Sequence, residues 1–162
     1  MSQIFHISKS LKPFKKEIII EGDKSLSIRW ALLASQAIGK STAKNILLSE
    51  DVLNTLNCLK KLGTNIKVNK NTCVINGMGI NGYKYKKNII LNAGNSGTLG
   101  RLILGLLIHS KNNIKIIGDK SLSKRDFLRV IKPLEKFGAR FISKNGKLPV
   151  VVKGIENSKP IK

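Results

Sequence analysis

Apolar and polar positions along this 162-residue chain change period several times, and each change predicts an element. EIIIEG, Glu17–Gly22, is rich in β-branched residues and reads as a short strand. From Ser25 to about Ile38, Leu26, Trp30, Leu33 and Ala37 recur at i, i+4, i+7 and i+11. That spacing predicts a helix that buries this face and ends at Gly39. STAKNILL, Ser41–Leu48, reads as a second strand. Ser49 then stands as N-cap of a second helix, with Glu50 and Asp51 in the first turn where the helix dipole favours acids. Val52, Leu56 and Leu59 face one way, and Gly63 closes the helix. NIKVNK and TCVING alternate around Lys70-Asn71, which predicts a hairpin.

The same order then returns. NIILNAG, Asn88–Gly94, is a strand entering a glycine-rich turn, and Ser96–Ser110 is a helix apolar nearly all round, hence buried. NIKIIGD, Asn113–Asp119, is a strand. Ser121 or Ser123 caps a helix whose Phe127, Val130, Ile131, Leu134 and Phe137 make one face, stopped by Gly138. ARFISK and LPVVVKG form a hairpin across Asn145-Gly146. The prediction is an α/β chain of two tandem βαβαββ units, 21–80 and 88–155, after an N-terminal segment 1–20. Gly63 with Gly138, and Gly79 with Gly154, share an offset of 75. The hexapeptide GDKSLS also occurs twice, at Gly22–Ser27 and Gly118–Ser123, but its offset is 96. It is therefore out of phase with the duplication and opens a different helix in each unit.

Composition changes this picture in one respect. The formal net charge is +21, from 30 Lys plus Arg against 9 Asp plus Glu. Such a charge attracts polyanions or small anions without choosing between them. Lys outnumbers Arg 25 to 5, and Asn and Ile are abundant, as AT-rich coding sequence would produce. The few arginines are the more informative cations, because they grip carboxylate and phosphate bidentately. Cys58 and Cys73 form no CxxC and have no histidine at ligand spacing, so they read as core residues of a reducing compartment. No leader pattern and no apolar run of membrane-spanning length are present, which predicts a cytoplasmic protein.

The chemistry sits at helix starts. The first N–H groups of a helix have no internal partner and carry the positive end of its dipole, which suits phosphate or carboxylate. Both GDKSLS segments follow a strand, carry a lysine and precede a helix, and simple capping accounts for them equally well. NAGNSGTLGR, Asn92–Arg101, is a third start of this kind, with Gly94 and Gly97 for close backbone approach and Ser96 and Thr98 as hydroxyls. It lacks the spacing of an ATP-binding or dinucleotide-binding loop. Arg29 lies five residues after Lys24, and Arg125 falls in the first turn of its predicted helix. Arg101 reads either as part of this set or as a structural cation. Gathered at one edge, these starts would line a cleft for a substrate with several negative charges. His6 and His109 are lone histidines, and the acids show no general acid–base pair.

GDKSLSIRWALLAS, LNAGNSGTLGRLILGLL and GDKSLSKRDFLRVIKPLEKFGA together resemble three blocks of the 5-enolpyruvylshikimate-3-phosphate synthase family, in order, over about residues 14–155. The related peptidoglycan-pathway enolpyruvyl transferases share the fold but lack the Ser-x-x-x-Arg arrangement of Ser25 and Arg29. The resemblance implies an inverse α/β barrel, or alpha-beta prism, of which this chain is an incomplete part. It implies transfer of the enolpyruvyl group of phosphoenolpyruvate to the 5-hydroxyl of shikimate 3-phosphate, with release of phosphate, by a monomer that needs no metal or organic cofactor. By motif, Lys24 would contact both substrates; Ser25 and Arg29 would bind shikimate 3-phosphate; Asn95, Gly97 and Arg125 would hold phosphoenolpyruvate; Thr98 and Arg101 would support them. Gly97 is also the family position where a larger side chain excludes glyphosate. The family's chains are much longer, so the resemblance implies a third unit and a second domain beyond this sequence, with 1–20 belonging to that domain. The acid–base residues would lie there. The isolated chain is expected to be inactive and to expose an unpaired apolar face. The competing readings are a relative of the peptidoglycan-pathway UDP-N-acetylglucosamine enolpyruvyl transferase and a small basic nucleic-acid-binding protein; against the latter stand 5% aromatic residues and no basic-aromatic motif.

Overall fold

Two sheets carry the repeat. The structure, a computed structural model, describes residues 6, 8, 13, 15–18 and 20–160. In order, the elements are α1 (Lys24–Gln36), β1 (Ile38–Ala43), α2 (Glu50–Lys61), β2 (Asn65–Asn69), β3 (Thr72–Met78), β4 (Ile89–Asn92), α3 (Gly97–Leu106), β5 (Ile114–Ile117), a 3-10 turn (Leu122–Lys124), α4 (Leu128–Lys136), β6 (Arg140–Lys144) and β7 (Lys147–Lys153). The first sheet has the order β1-β3-β2 and the second β4-β5-β7-β6. Strands β6 and β7 start at Arg140 and Lys147, against Asn65 and Thr72 for β2 and β3, an offset of 75 in both cases. The hairpin turns repeat as well: Lys70 and Asn145 both take positive φ, and Gly146 follows at φ 67°. That pair of left-handed residues is the geometry that Asn-Gly provides for a two-residue hairpin.

The first sheet is one strand short of the second. Of the strand predicted at Glu17–Gly22, the described residues form none, and Ile18 and Ile20 are 70% and 71% exposed. Among the described residues it is tied by the Asn45 side-chain amide, which donates to the Ile20 carbonyl at 3.0 Å. β-branched residues favour a strand only where a partner accepts its hydrogen bonds, and β1 pairs only with β3 among the described residues. The second predicted strand shifts from Ser41–Leu48 to Ile38–Ala43 because Asn45 turns the chain at φ 57°. Gly39 lies inside this strand opposite Gly77, and α1 instead ends at Gln36.

Helix α1 buries the face opposite to the predicted one. Ser27, Ile28, Ala31, Leu32, Ala34 and Ser35 point inward, while Leu26 and Leu33 are 68% and 70% exposed. Both faces are apolar enough to be buried, so periodicity alone favoured the larger side chains. Small residues won because α1 packs closely on β3, where the Ala34 and Ala37 carbonyls sit directly against Gly77. Helix α2 follows its prediction, with Val52, Leu56 and Leu59 buried, although the Ser49 hydroxyl makes no capping bond. Helix α3 is shorter than predicted and not buried all round; Leu102 is 41% exposed.

One hydrophobic cluster joins the two units, running from Ile28 and Leu32 through Val52 and Leu59 to Leu91, Leu99, Phe127 and Val152. α1 packs on α2 and α3, and α2 packs on β4. Cys58 marks this seam: its thiol donates to the Asn92 carbonyl at 3.3 Å, and both cysteines are free and buried. Burial pushes the Cys58 thiol up to about 11 from 9.0, with Lys61 and the Asn92 contact pulling the other way. The folded state therefore binds more protons than the unfolded state above pH 9. Stability from this group is fully present below about pH 9 and is lost as pH rises towards about 11. Urea titrations at pH 8 and pH 10.5 should show the decline, and Cys58→Ala should reduce it. Among the described residues, no helix is long and apolar enough to cross a membrane.

Candidate anion-binding site

The two hexapeptides fold through the same local chemistry, and aspartate rather than serine carries it. The Asp23 carboxylate accepts from the Leu26 N–H at 2.7 Å, and the Asp119 carboxylate accepts from the Leu122 N–H at 2.6 Å. In each, the second serine N–H donates to the carbonyl of that aspartate, Ser27 at 3.0 Å and Ser123 at 2.9 Å. The chain then diverges. After Ser27 the helix runs on to Gln36, whereas after Ser123 it stops within a turn and Arg125 is extended. The predicted helix cap at Ser121 or Ser123 is therefore not formed; α4 begins three residues after Arg125, behind Phe127. Arg125 lies in the connecting loop, not on a helical first turn.

That loop position brings Arg125 to the glycine-rich turn. Its guanidinium donates to Asn95 Oδ1 at 3.3 Å, and Asn95 Nδ2 donates to Asp119 Oδ2 at 2.7 Å. The Asp119 N–H in turn donates to the Gly94 carbonyl at 2.9 Å. Asp119, placed by its sequence at the end of a strand, thus links both segments while capping its own turn. Ser96 caps α3, its hydroxyl accepting from the Leu99 N–H at 3.3 Å. Gly97, the first residue of α3, faces two cations: a Cβ there would lie 2.9 Å from Arg101 Nη1 and 3.0 Å from Arg125 Nη1. A hydrogen at this position leaves both guanidinium groups beside a helix N-terminus.

Arg101 holds the arrangement from below. It donates to the Gly97 carbonyl at 3.4 Å and the Asp126 carbonyl at 3.1 Å, and its guanidinium carbon lies 5.2 Å from the centre of the Phe127 ring. Burial chiefly, and then the like charges of Arg129 and Arg125, weaken its hold on its proton, while Asp126 opposes them. An arginine stays charged through such a shift, so the cluster keeps its positive field. Gly97→Ala is expected to leave the fold intact, since both obstacles are swinging guanidinium ends. It should weaken inorganic phosphate binding at Arg125 about tenfold, the worth of one charge-assisted hydrogen bond. Phosphate titration with circular dichroism as the fold control measures this.

A second cation set lies at the start of α1. Lys24 pairs with Asp51 of α2 at 3.1 Å, with the lysine side chain half exposed. Asp51 thus has a partner that its position in the first turn of α2 did not reveal. Arg29 folds back along α1 and donates to the Ser25 carbonyl at 3.2 Å, leaving most of its guanidinium outward. Ser25 and Thr98 are half-buried. Asn95, Gly97, Arg101 and Arg125 therefore form one contact set, and Lys24, Ser25 and Arg29 another. No hydrogen bond or ion pair among the described residues joins them. Among the described residues no group of three metal-ligating side chains is found.

Comparison with known proteins agrees over nearly the whole chain. The family model for EPSP synthase (3-phosphoshikimate 1-carboxyvinyltransferase) matches residues 9–162. The curated 3-phosphoshikimate 1-carboxyvinyltransferase of Ruthia magnifica is 45% identical over 83% of this chain and 31% of its own length. That of Caldicellulosiruptor saccharolyticus is 40% identical over 93% of this chain and 35% of its own. A solved EPSP synthase from Acinetobacter baumannii superposes with a TM-score of 0.84 at 36% identity, covering 92% of this chain and 34% of that one. This chain thus spans about a third of the length of the relatives it matches. With the family model matching nearly the whole chain and the solved fold superposing on it, the chain belongs to the EPSP synthase (3-phosphoshikimate 1-carboxyvinyltransferase) family.

Proposed function

We propose that this chain supplies the anion-holding part of a 3-phosphoshikimate 1-carboxyvinyltransferase site. The supporting observation is Arg125, held by Asn95 against the N-terminus of α3 and given room by Gly97. Phosphoenolpyruvate, with a carboxylate and a phosphate, suits that pairing of guanidinium and helix N–H groups. Shikimate 3-phosphate is assigned to Ser25 and Arg29, and Lys24 serves both substrates once it exchanges Asp51 for a ligand. Thr98 and Arg101 brace the turn. In the reaction the 5-hydroxyl gives up its proton and its oxygen bonds to C2 of phosphoenolpyruvate while C3 takes up a proton, giving a tetrahedral ketal; loss of a proton from C3 with departure of phosphate from C2 then restores the enol double bond. Cations fixed before the reaction lower its barrier by positioning the reactants and by stabilising charge that develops on them.

Trp30 adjoins Arg29 on α1 and reports on ligand there. Shikimate 3-phosphate is expected to quench its fluorescence, and Arg29→Ala to weaken that response more than about tenfold by removing a charge-assisted contact. An unchanged titration curve would refute the assignment. Residues 1–162 alone are expected to release phosphate no faster than background, because no candidate acid–base pair lies among the groups described. Release above background would show that the chain carries its own proton-transfer groups.

A further inference from the structure

Asp119 is bonded through both of its carboxylate oxygens, and the two serve different ends. Oδ1 accepts from the Leu122 N–H at 2.6 Å and caps the turn, as Asp23 Oδ1 does for Leu26 in the first hexapeptide. Oδ2 accepts from Asn95 Nδ2 at 2.7 Å. Among the described residues, Asp23 makes no counterpart to that second bond. Backbone pairing sets up the contact. The parallel strands β4 and β5 end at Asn92 and Ile117, and their hydrogen bonding runs on past them. The Ala93 N–H donates to the Ile117 carbonyl and the Asp119 N–H to the Gly94 carbonyl, both at 2.9 Å. Gly118 lets the two segments approach, since a Cβ there would lie 3.0 Å from the Gly94 carbonyl oxygen. The sheet thus delivers the carboxylate to the Asn95 amide.

An asparagine amide donates at one end and accepts at the other, and its shape does not select which end faces a neighbour. Here the neighbours select. A carboxylate only accepts and a guanidinium only donates. Asn95 lies between Asp119 and Arg125, so a single orientation satisfies both: Nδ2 towards Asp119, and Oδ1 towards the Arg125 guanidinium at 3.3 Å. The reverse orientation would set an NH2 group against the arginine and a carbonyl against the carboxylate. We infer that Asp119 is a positioning residue of the anion site: it fixes the Asn95 amide with its carbonyl oxygen towards Arg125, and that oxygen holds Arg125 beside Gly97 at the start of α3. This rests on the anion-holding reading of the Arg125 site given above. The sign of the effect sets it apart. An acid near an anion site weakens binding by repulsion, whereas Asp119 strengthens it, because it acts through Asn95.

Asp119→Asn in residues 1–162 is the test. The new side chain keeps an oxygen for the Leu122 N–H, so the turn stays capped, but its other end is an NH2 group facing the NH2 of Asn95. Inorganic phosphate binding is expected to weaken about five- to tenfold, with circular dichroism and urea unfolding close to the parent. Removal of a negative charge alone predicts the opposite, tighter binding. Asp23→Asn, which removes the same charge from the first hexapeptide, should not weaken it. Asn95→Ala, which leaves the cap untouched, should lose as much as Asp119→Asn, and the two together no more than either, as residues acting in series require. Phosphate affinity at or above the parent's in Asp119→Asn, or losses that add in the double variant, would overturn the inference. Nuclear magnetic resonance of the Asn95 side-chain amide separates it from the reading beneath it. Those protons should shift in Asp119→Asn without phosphate present, and unmoved signals would also overturn the inference. Phosphate binding indifferent to Arg125→Ala would count against the anion-holding reading, and the Asn95 signals would then decide whether Asp119 orients the amide.

Discussion

Phe127→Ala is expected to destabilise the protein by about 3–5 kcal/mol, the usual cost of emptying a buried aromatic site. Phe127 is fully buried and sits where several parts meet. Its N–H donates to the Gly146 carbonyl in the turn between β6 and β7, at 2.9 Å. Its ring lies against Gly100, so closely that a Cβ there would come within 3.2 Å of it. The other face of its influence is on the site, because Arg101 stacks over the same ring. The two effects separate in Phe127→Leu. Leucine restores much of the volume but not the ring, so the remaining loss includes the cation–ring attraction of about 0.5–1 kcal/mol. Urea unfolding of both variants, with phosphate titration at a denaturant concentration where both remain folded, distinguishes a packing role from a role in holding Arg101. If Phe127→Ala unfolds like the parent, the seam between α3 and α4 is not organised as described.

Gly77→Ala is expected to cost about 3 kcal/mol, at the upper end for a single added methyl group. A Cβ at this position would collide with the Ala34 and Ala37 carbonyls, which are backbone atoms and cannot rotate away. The end of α1 is tied there by the Gly79 N–H, which donates to the Ala37 carbonyl at 3.0 Å. Relief requires the last turn of α1 to lift from β3, and that loosens Ile28, Ala31 and Leu32 beneath it. Gly105→Ala is the control: a Cβ there meets nothing within 4 Å, and alanine favours the helix. Thermal unfolding should place the two variants on opposite sides of the parent. The contrast with Gly97→Ala follows the same geometry, since there the obstacles are side-chain ends and ligand binding suffers rather than stability.

Much of the candidate site could be read from the chain because its chemistry is local. Helix starts need caps, close approach to a backbone needs glycine, and anion sites need fixed cations, so Gly97, Ser96 and the arginines could be singled out by type and spacing. The residues that join distant segments could not. Asp51 was explained by its own helix until Lys24 met it, and Asp119 stood only as the end of a strand until Asn95 met it. The apolar stripe of α1 was misread for a related reason: periodicity reports that a face is suited to burial, not which of two suited faces this portion of the chain covers.

The twice-used hexapeptide divides the two kinds of information. Sequence by itself determined the α/β class, the 75-residue repeat of the hairpins, and an aspartate-led turn wherever GDKSLS occurs, because backbone preferences and local hydrogen bonds act within a few residues. Tertiary structure decided what each copy became. The first continues into α1, whose small residues pack on β3. The second stops after one turn, because Phe127 is buried against Gly100 and its N–H bonds to Gly146, which leaves Arg125 extended beside Asn95. Those contacts are long-range, and their energy depends on surfaces that no short window of sequence contains.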